Sequence, residues 1–388
     1  MNKVYMYGIT FFIVIVSILV RISFMPKISD DYAEFLSKWF DLIKENNGIF
    51  ALKLDLGDYN MPYVQILALL TYLPIDSLYS IKIVSIIFDY IGSIGIGLLI
   101  YEITKDKNKA IIGFFITIML PTVILNSSAW AQCDFLYVTF IIFSLLFLLK
   151  DKYKLSFAFL GIAFAFKLQT ICVLPIYILY YVSDRKFPIY YFLIIPLVDI
   201  ILCLPSILIG KPLYDLFSVY INQAGEYSEY ISLNFPGIYP IIFQTTGTWV
   251  EMPNKVVKYL GIIIPGIIYF VFAIIVFLKK IKFSKENIIK FSVWSILFST
   301  YFLPQMHDRY MFCAEVISVV VFIIDKRKWY LPMVVNMASL YTYMSFLYGI
   351  QPINIRMVSI LLGIVLIYYT VSIFKELISN NKLFKTEK

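Results

Sequence analysis

Two adjacent carboxylates, Asp30 and Asp31, stand directly before Tyr32 and the stretch "YAEFLSKWFDLIKEN", where Phe35, Trp39 and Leu42 recur at helical spacing. One carboxylate is enough to cap a helix. A second one there can take a proton from a hydroxyl, which is the work of a general base. Far along the chain, "QMHDR" carries the only histidine, His307, beside Asp308 and Arg309. A guanidinium offers a fork of N–H donors and an imidazole can add another, a set suited to a phosphodiester held at headgroup depth. Lys167, inside the apolar run "AFAFKLQT", can assist as a point charge. Other polar groups outside any obvious topology signal are Asp58 in "GDYNMPY", Asp134 after "WAQC", and Glu226 and Glu229 in "GEYSEY". Each has a plainer reading. Asp30 or Asp31 and Asp134 can be caps, Trp130 part of an interfacial belt, Lys167 a snorkelling side chain, and the two glutamates solvated loop residues.

Other chemistries lack their residues. There is no Gly-rich phosphate loop, HExxH, GxSxG or dinucleotide fingerprint, so nucleotide-driven and soluble-hydrolase reactions have no support. The four cysteines, Cys133, Cys172, Cys203 and Cys313, lie in or beside apolar runs without CxxC or Cys/His spacing, and they read as small core residues. No ligand set for a metal stands out.

The elements that must position these residues belong to a membrane protein. Of the 388 residues 61% are apolar and 15% charged, with a mean hydropathy of +0.82; a globular domain carries about 25% charged residues. The net charge of +8 comes as short clusters between apolar runs and not as a basic face, so nucleic acid is excluded as a partner. Apolar runs predict an all-α polytopic fold of about twelve spans. They fall near 4–24, 79–103, 110–126, 134–149, 155–169, 170–182, 187–208, 257–278, 287–304, 310–325, 329–347 and 355–375. The first reads as an uncleaved span, because no A-x-A site follows it. The break near Lys167 is kept because one fused span there would turn every later basic cluster outward.

With twelve spans, "KDKNK", "KDKYK", "DRK", "KKIKFSK", "DKRK" and the C-terminal lysines all face the cytoplasm, as do both termini. The chain then forms one multi-span domain over 1–388 with two large outer loops, 25–78 and 210–254. "MPYVQILALLTYLP" is too short to span and reads as a re-entrant or interfacial helix in the first outer loop. Every candidate above falls on the outer face, where acids, cations and an imidazole together make a plausible pocket.

In their order and common side, "SDDYAEFLSKW", "GDYNMPY", "NSSAWAQCDFLYV", "GIAFAFKLQTICVLPIY", "INQAGEYSEYISLNFPGIY" and "FLPQMHDRYMF" resemble membrane glycosyltransferases of the GT-C superfamily. Within that superfamily the chain resembles bacterial relatives of the GPI and asparagine-linked-glycan mannosyl- and glucosyltransferases. The resemblance implies inverting transfer of a hexose from a polyprenyl-phosphate sugar to a glycan, lipid or protein acceptor on the non-cytoplasmic face. It implies Asp31 as base, since the family's catalytic acid precedes an aromatic, with Asp30 capping the helix or orienting the acceptor. His307, Arg309 and Lys167 would hold the donor phosphate. Asp58, Tyr59, Trp130, Gln132, Asp134, Glu226 and Tyr227 would position the acceptor. The chain has "DYNMP" where the family often has "DYPPL", and the resemblance leaves a divalent cation open.

Two other classes compete. A transporter or flippase of lipid-linked sugars should show repeated halves and midplane charges, but the halves do not repeat. A surface-glycan polymerase would be expected to rely on arginines in its large outer loop, and 210–254 has none.

Overall fold

The computed structural model of the chain describes residues 3–57, 59–223, 225, 227–243 and 247–386. Its first helices are α1 (Lys3–Phe24), α2 (Ser37–Glu45), α3 (Met61–Leu70), α4 (Ser77–Thr104), α5 (Lys107–Ile118), α6 (Pro121–Ile124), α7 (Asp134–Leu149) and α8 (Tyr153–Phe166). Then come α9 (Leu174–Asp184), α10 (Ile194–Ile209), α11 (Leu213–Gln223), α12 (Tyr239–Ile242) and α13 (Lys255–Lys279). The last are α14 (Lys285–Phe302), α15 (Phe312–Ile324), α16 (Tyr330–Tyr348) and α17 (Ile355–Thr386). The described residues are predominantly helical, as expected, with one small sheet. Strands β1 (Tyr230–Leu233), β2 (Trp249–Glu251) and β3 (Met306–His307) stand in the order β2-β1-β3, antiparallel and then parallel.

Twelve spans are not what the helices build. Among the described residues, four helical stretches are long and apolar enough to cross a bilayer: Ser77–Thr104, Ile189–Ile209, Lys255–Lys279 and Ile355–Ser379. Lys107–Ile118 and Pro121–Ala129, bent by 53°, make a fifth if taken as one span. Helices also form at the other expected positions, close to the expected lengths, and several of them are short for a bilayer. α7, α8 and α15 have 16, 14 and 13 residues, which at 1.5 Å per residue reach about 20–24 Å against a hydrocarbon core of about 30 Å. Apolar composition misled because it marks burial of either kind. α7 is buried on nearly every face by protein, whereas only 17% of the best window of α13 is buried.

Where the sequence suggests one body, the chain packs as two compact units: Met1–Leu168 with Leu193–Gln223, and Gln169–Phe192 with Ala224–Lys388. The expected break at Lys167 is real. α8 ends at Phe166, and Lys167 turns extended at φ −156°, ψ 130°.

In the first unit α4 packs on α5 and α7, and α7 on α8. Gly92 permits that approach, since a Cβ there would come within 2.6 Å of Thr139 Oγ1. The segment 25–78 carries an apolar face that packs inward. Phe40, Leu52, Tyr63, Leu67 and Ala68 are all buried in one apolar cluster, so α3, a helix of 10 residues, packs into the protein core. In the second unit Trp294 of α14 packs against Phe272 of α13 and Phe374 of α17. The Tyr369 hydroxyl ties α17 to α14 by donating to the Lys290 carbonyl at 2.8 Å.

Candidate functional site

After α1 ends, the chain turns under control of α4. Lys82 Nζ donates to the carbonyls of Met25 and Lys27 at 2.9 and 2.5 Å, satisfying backbone acceptors that a helix end leaves open. Ser29 Oγ then accepts the Tyr32 N–H at 3.3 Å and donates to the Trp130 carbonyl at 2.7 Å. Ser29 therefore supplies the cap expected of Asp30, which is exposed. Asp31 opens a π-helical turn, Tyr32–Leu36. The Tyr32 hydroxyl shares a 2.7 Å hydrogen bond with Ser77, at the start of α4, and burial raises its pKa.

A second π-helical turn, Leu125–Ala129, faces this one, closed by the Trp130 N–H on the Leu125 carbonyl at 2.8 Å. Single π turns often mark functional positions. Ala131, fully buried, takes φ +65°, a left-handed conformation that costs a residue with a Cβ about 1–2 kcal/mol. That reversal lets the two flanking side chains converge: Trp130 Nε1 and Gln132 Nε2 donate to Asp31 Oδ2 at 2.8 and 2.6 Å. The amide of Gln132 has only one sensible orientation, because a carboxylate accepts and cannot donate. Its Oε1 is then left to accept the Tyr59 hydroxyl, at 2.9 Å. Trp39 and Tyr63 hold the Tyr59 ring at centroid distances of 5.4 and 5.0 Å, and burial pushes the Tyr63 phenol well above its usual range.

Behind this group, Asn126 Nδ2 donates to Asp134 Oδ2 at 2.7 Å, and Lys167 forms an ion pair with the other oxygen of Asp134. Asp134 is 2% exposed, so this pair braces the "WAQC" turn and the positive charge of Lys167 is matched inside the fold. Asp31, Tyr59, Trp130 and Gln132 are thus brought together, with Asp134 and Lys167 supporting them. Asp58 and Glu226 lie outside the described residues.

In the second unit, His307 ends β3 between two tyrosine rings, with centroids 4.9 Å from Tyr227 and 5.0 Å from Tyr310. Arg309 Nη1 lies 3.5 Å from Oδ1 of its neighbour Asp308. Gln305 Nε2 donates to the Tyr227 carbonyl at 3.1 Å, joining the "GEYSEY" and "QMHDR" segments. His307 and Tyr227 therefore meet, although the one was expected at the donor phosphate and the other at the acceptor.

Sequence reasoning missed Ser29, Asn126 and Ala131. Ser29 carried the signal of a capping residue just before "DDY". The other two carried none, because an alanine in the left-handed region and a buried asparagine declare themselves only in three dimensions. Among the described residues no three His, Cys, Asp or Glu side chains are grouped to hold a metal ion. Compared with known protein families and with curated proteins, the sequence finds no match.

Proposed function

We propose that the protein is an inverting membrane glycosyltransferase that moves one hexose from a polyprenyl-phosphate donor to an acceptor hydroxyl on a glycan, lipid or protein. The observation that carries this reading is the half-buried carboxylate of Asp31, aimed by the Trp130 and Gln132 donors beside the ring of Tyr59. Asp31 takes the proton of the acceptor hydroxyl as its oxygen attacks the anomeric carbon. The new C–O bond forms opposite the breaking bond to phosphate, and the electron pair leaves on the polyprenyl phosphate, a stable anion that needs no acid.

Charge at the helix ends supports an outward-facing Asp31. Lys105, Lys107 and Lys109 follow α4, Arg185 and Lys186 precede Ile189–Ile209, and Lys279, Lys280 and Lys282 close α13. Such clusters favour the cytoplasm. The Tyr32–Ser77 bond ties the Asp31 turn to the opposite end of α4. The test is Asp31→Asn, close to isosteric, assayed with a panel of polyprenyl-phosphate sugars and mass detection of products. Turnover should fall about 10²- to 10⁴-fold while donor binding persists. Turnover within about threefold of wild type at a pH where carboxylates are ionised would overturn the reading.

A further inference from the structure

The first unit contains a cavity of about 360 Å³ that the proposed chemistry leaves unexplained. One wall is the stretch after the 3₁₀ turn Gly48–Lys53 together with the first turn of α3; the other is α11. Lys211, 7% exposed, joins the walls. Its Nζ donates to the Leu54 carbonyl at 2.7 Å and lies 3.9 Å from Asp215 Oδ2.

Three properties of the lining narrow what fits. The first is charge: among the described residues Lys53 and Lys211 are balanced by Asp55 and Asp215, so the cavity gives a phosphate or uronate no net attraction. The second is hydrogen-bonding capacity. Asp55, Asp215, Ser218 and Asn222 offer carboxylate, hydroxyl and amide groups to a ligand rich in hydroxyls, and an acyl chain would cover them while offering no hydrogen bond in return. The third is the presence of Tyr59 and Tyr214, whose rings can pack on the C–H face of a saccharide. The volume sits at the low end of small-molecule sites, about 300–1,000 Å³.

We propose that this cavity binds an uncharged, hydroxyl-rich sugar ring, and that this ring is the acceptor. The binding stands on the lining alone, whereas the acceptor role rests on the Asp31 reading. Tyr59 connects the two. It lines the cavity, its hydroxyl donates to Gln132, and Gln132 donates to Asp31.

Calorimetric titration of the full-length protein in detergent tests it, using mannose-, glucose- and galactose-terminated disaccharides against glucuronic acid and glucose 6-phosphate. At least one neutral disaccharide should bind, and Asp215→Ala and Asn222→Ala should each weaken it about tenfold. Both side chains are at least partly exposed, so neither change should unfold the protein. Asp31→Asn should bind the same disaccharide unchanged. Absence of neutral-sugar binding at millimolar concentration, tighter binding of the anionic sugars, or indifference to both cavity variants would each overturn the proposal. Binding that behaves as expected, alongside an Asp31→Asn variant with normal turnover, would retain the sugar site and remove the acceptor role.

Discussion

Gln132 Nε2 lies 2.6 Å from Asp31 Oδ2, and this contact fixes the carboxylate against a side chain that is itself 1% exposed. Gln132→Leu removes the donor to Asp31 and also the acceptor of the Tyr59 hydroxyl. Turnover should fall by one to two orders of magnitude, about 1.4–2.8 kcal/mol in transition-state terms, with donor affinity unchanged. Comparing single-turnover rates with equilibrium donor binding checks this, since a merely structural loss would lower both.

Ala131 allows a separate test of the turn. Ala131→Gly relieves about 1–2 kcal/mol of left-handed backbone cost while giving up roughly one buried methyl, about 0.8 kcal/mol. Stability should therefore stay within about 1 kcal/mol of wild type. Ala131→Val adds branching in the same conformation and volume at a fully buried position, and it should cost more than about 2 kcal/mol. Thermal unfolding in detergent separates the two.

Arg21 and Asp89 form a buried pair at 3.0 Å with side chains each 1% exposed; Ser127 Oγ adds a 2.6 Å bond to the same carboxylate oxygen, and Arg21 Nη2 donates to the Ile118 carbonyl at 3.0 Å. Removing one partner leaves a buried charge. Arg21→Ala or Asp89→Ala should each destabilise by about 3–5 kcal/mol, and the double change Arg21→Met with Asp89→Leu should recover much of the loss. Expression level and melting temperature of the three variants decide it.

Asp325, just after α15, is held below the usual carboxylate range chiefly by its hydrogen bonds from Arg327, with Lys290 adding to the effect. A depressed folded-state pKa contributes stability above the unfolded value of about 3.9, and that contribution is lost as pH falls through the folded value. The melting temperature of Asp325→Asn should lie below wild type at pH 7, and the gap should close below about pH 4. A gap that widens on acidification would contradict the assignment.

Much of the helical plan was legible because long apolar runs punctuated by charge leave few alternatives. α4, α13 and the helix after Arg185 fall within a few residues of their expected limits. Span number was not legible. The apolar run of α7 is as hydrophobic as a membrane helix but is enclosed by α4 and α8, and hydropathy does not record which neighbour does the covering. Within the site, Asp31, Trp130 and Gln132 were found through their motifs. Asp134 and Lys167 were also found, yet each turned out to be the other's counter-ion, a pairing across 33 positions that no local pattern reveals.

The disparity in helix length within the first unit has a mechanical consequence. α4, at 28 residues, packs against the 16-residue α7, which in turn carries the 14-residue α8. α10 covers α8, and its stretch Ile189–Ile209 is 21 residues long, about 10 Å shorter than α4 at 1.5 Å per residue; placed in a bilayer, acyl chains beside it would compress or leave polar ends uncovered at a cost of fractions of a kcal/mol per ångström. Lipid chain length thereby becomes a load on this side of the protein, and thinner bilayers relieve it.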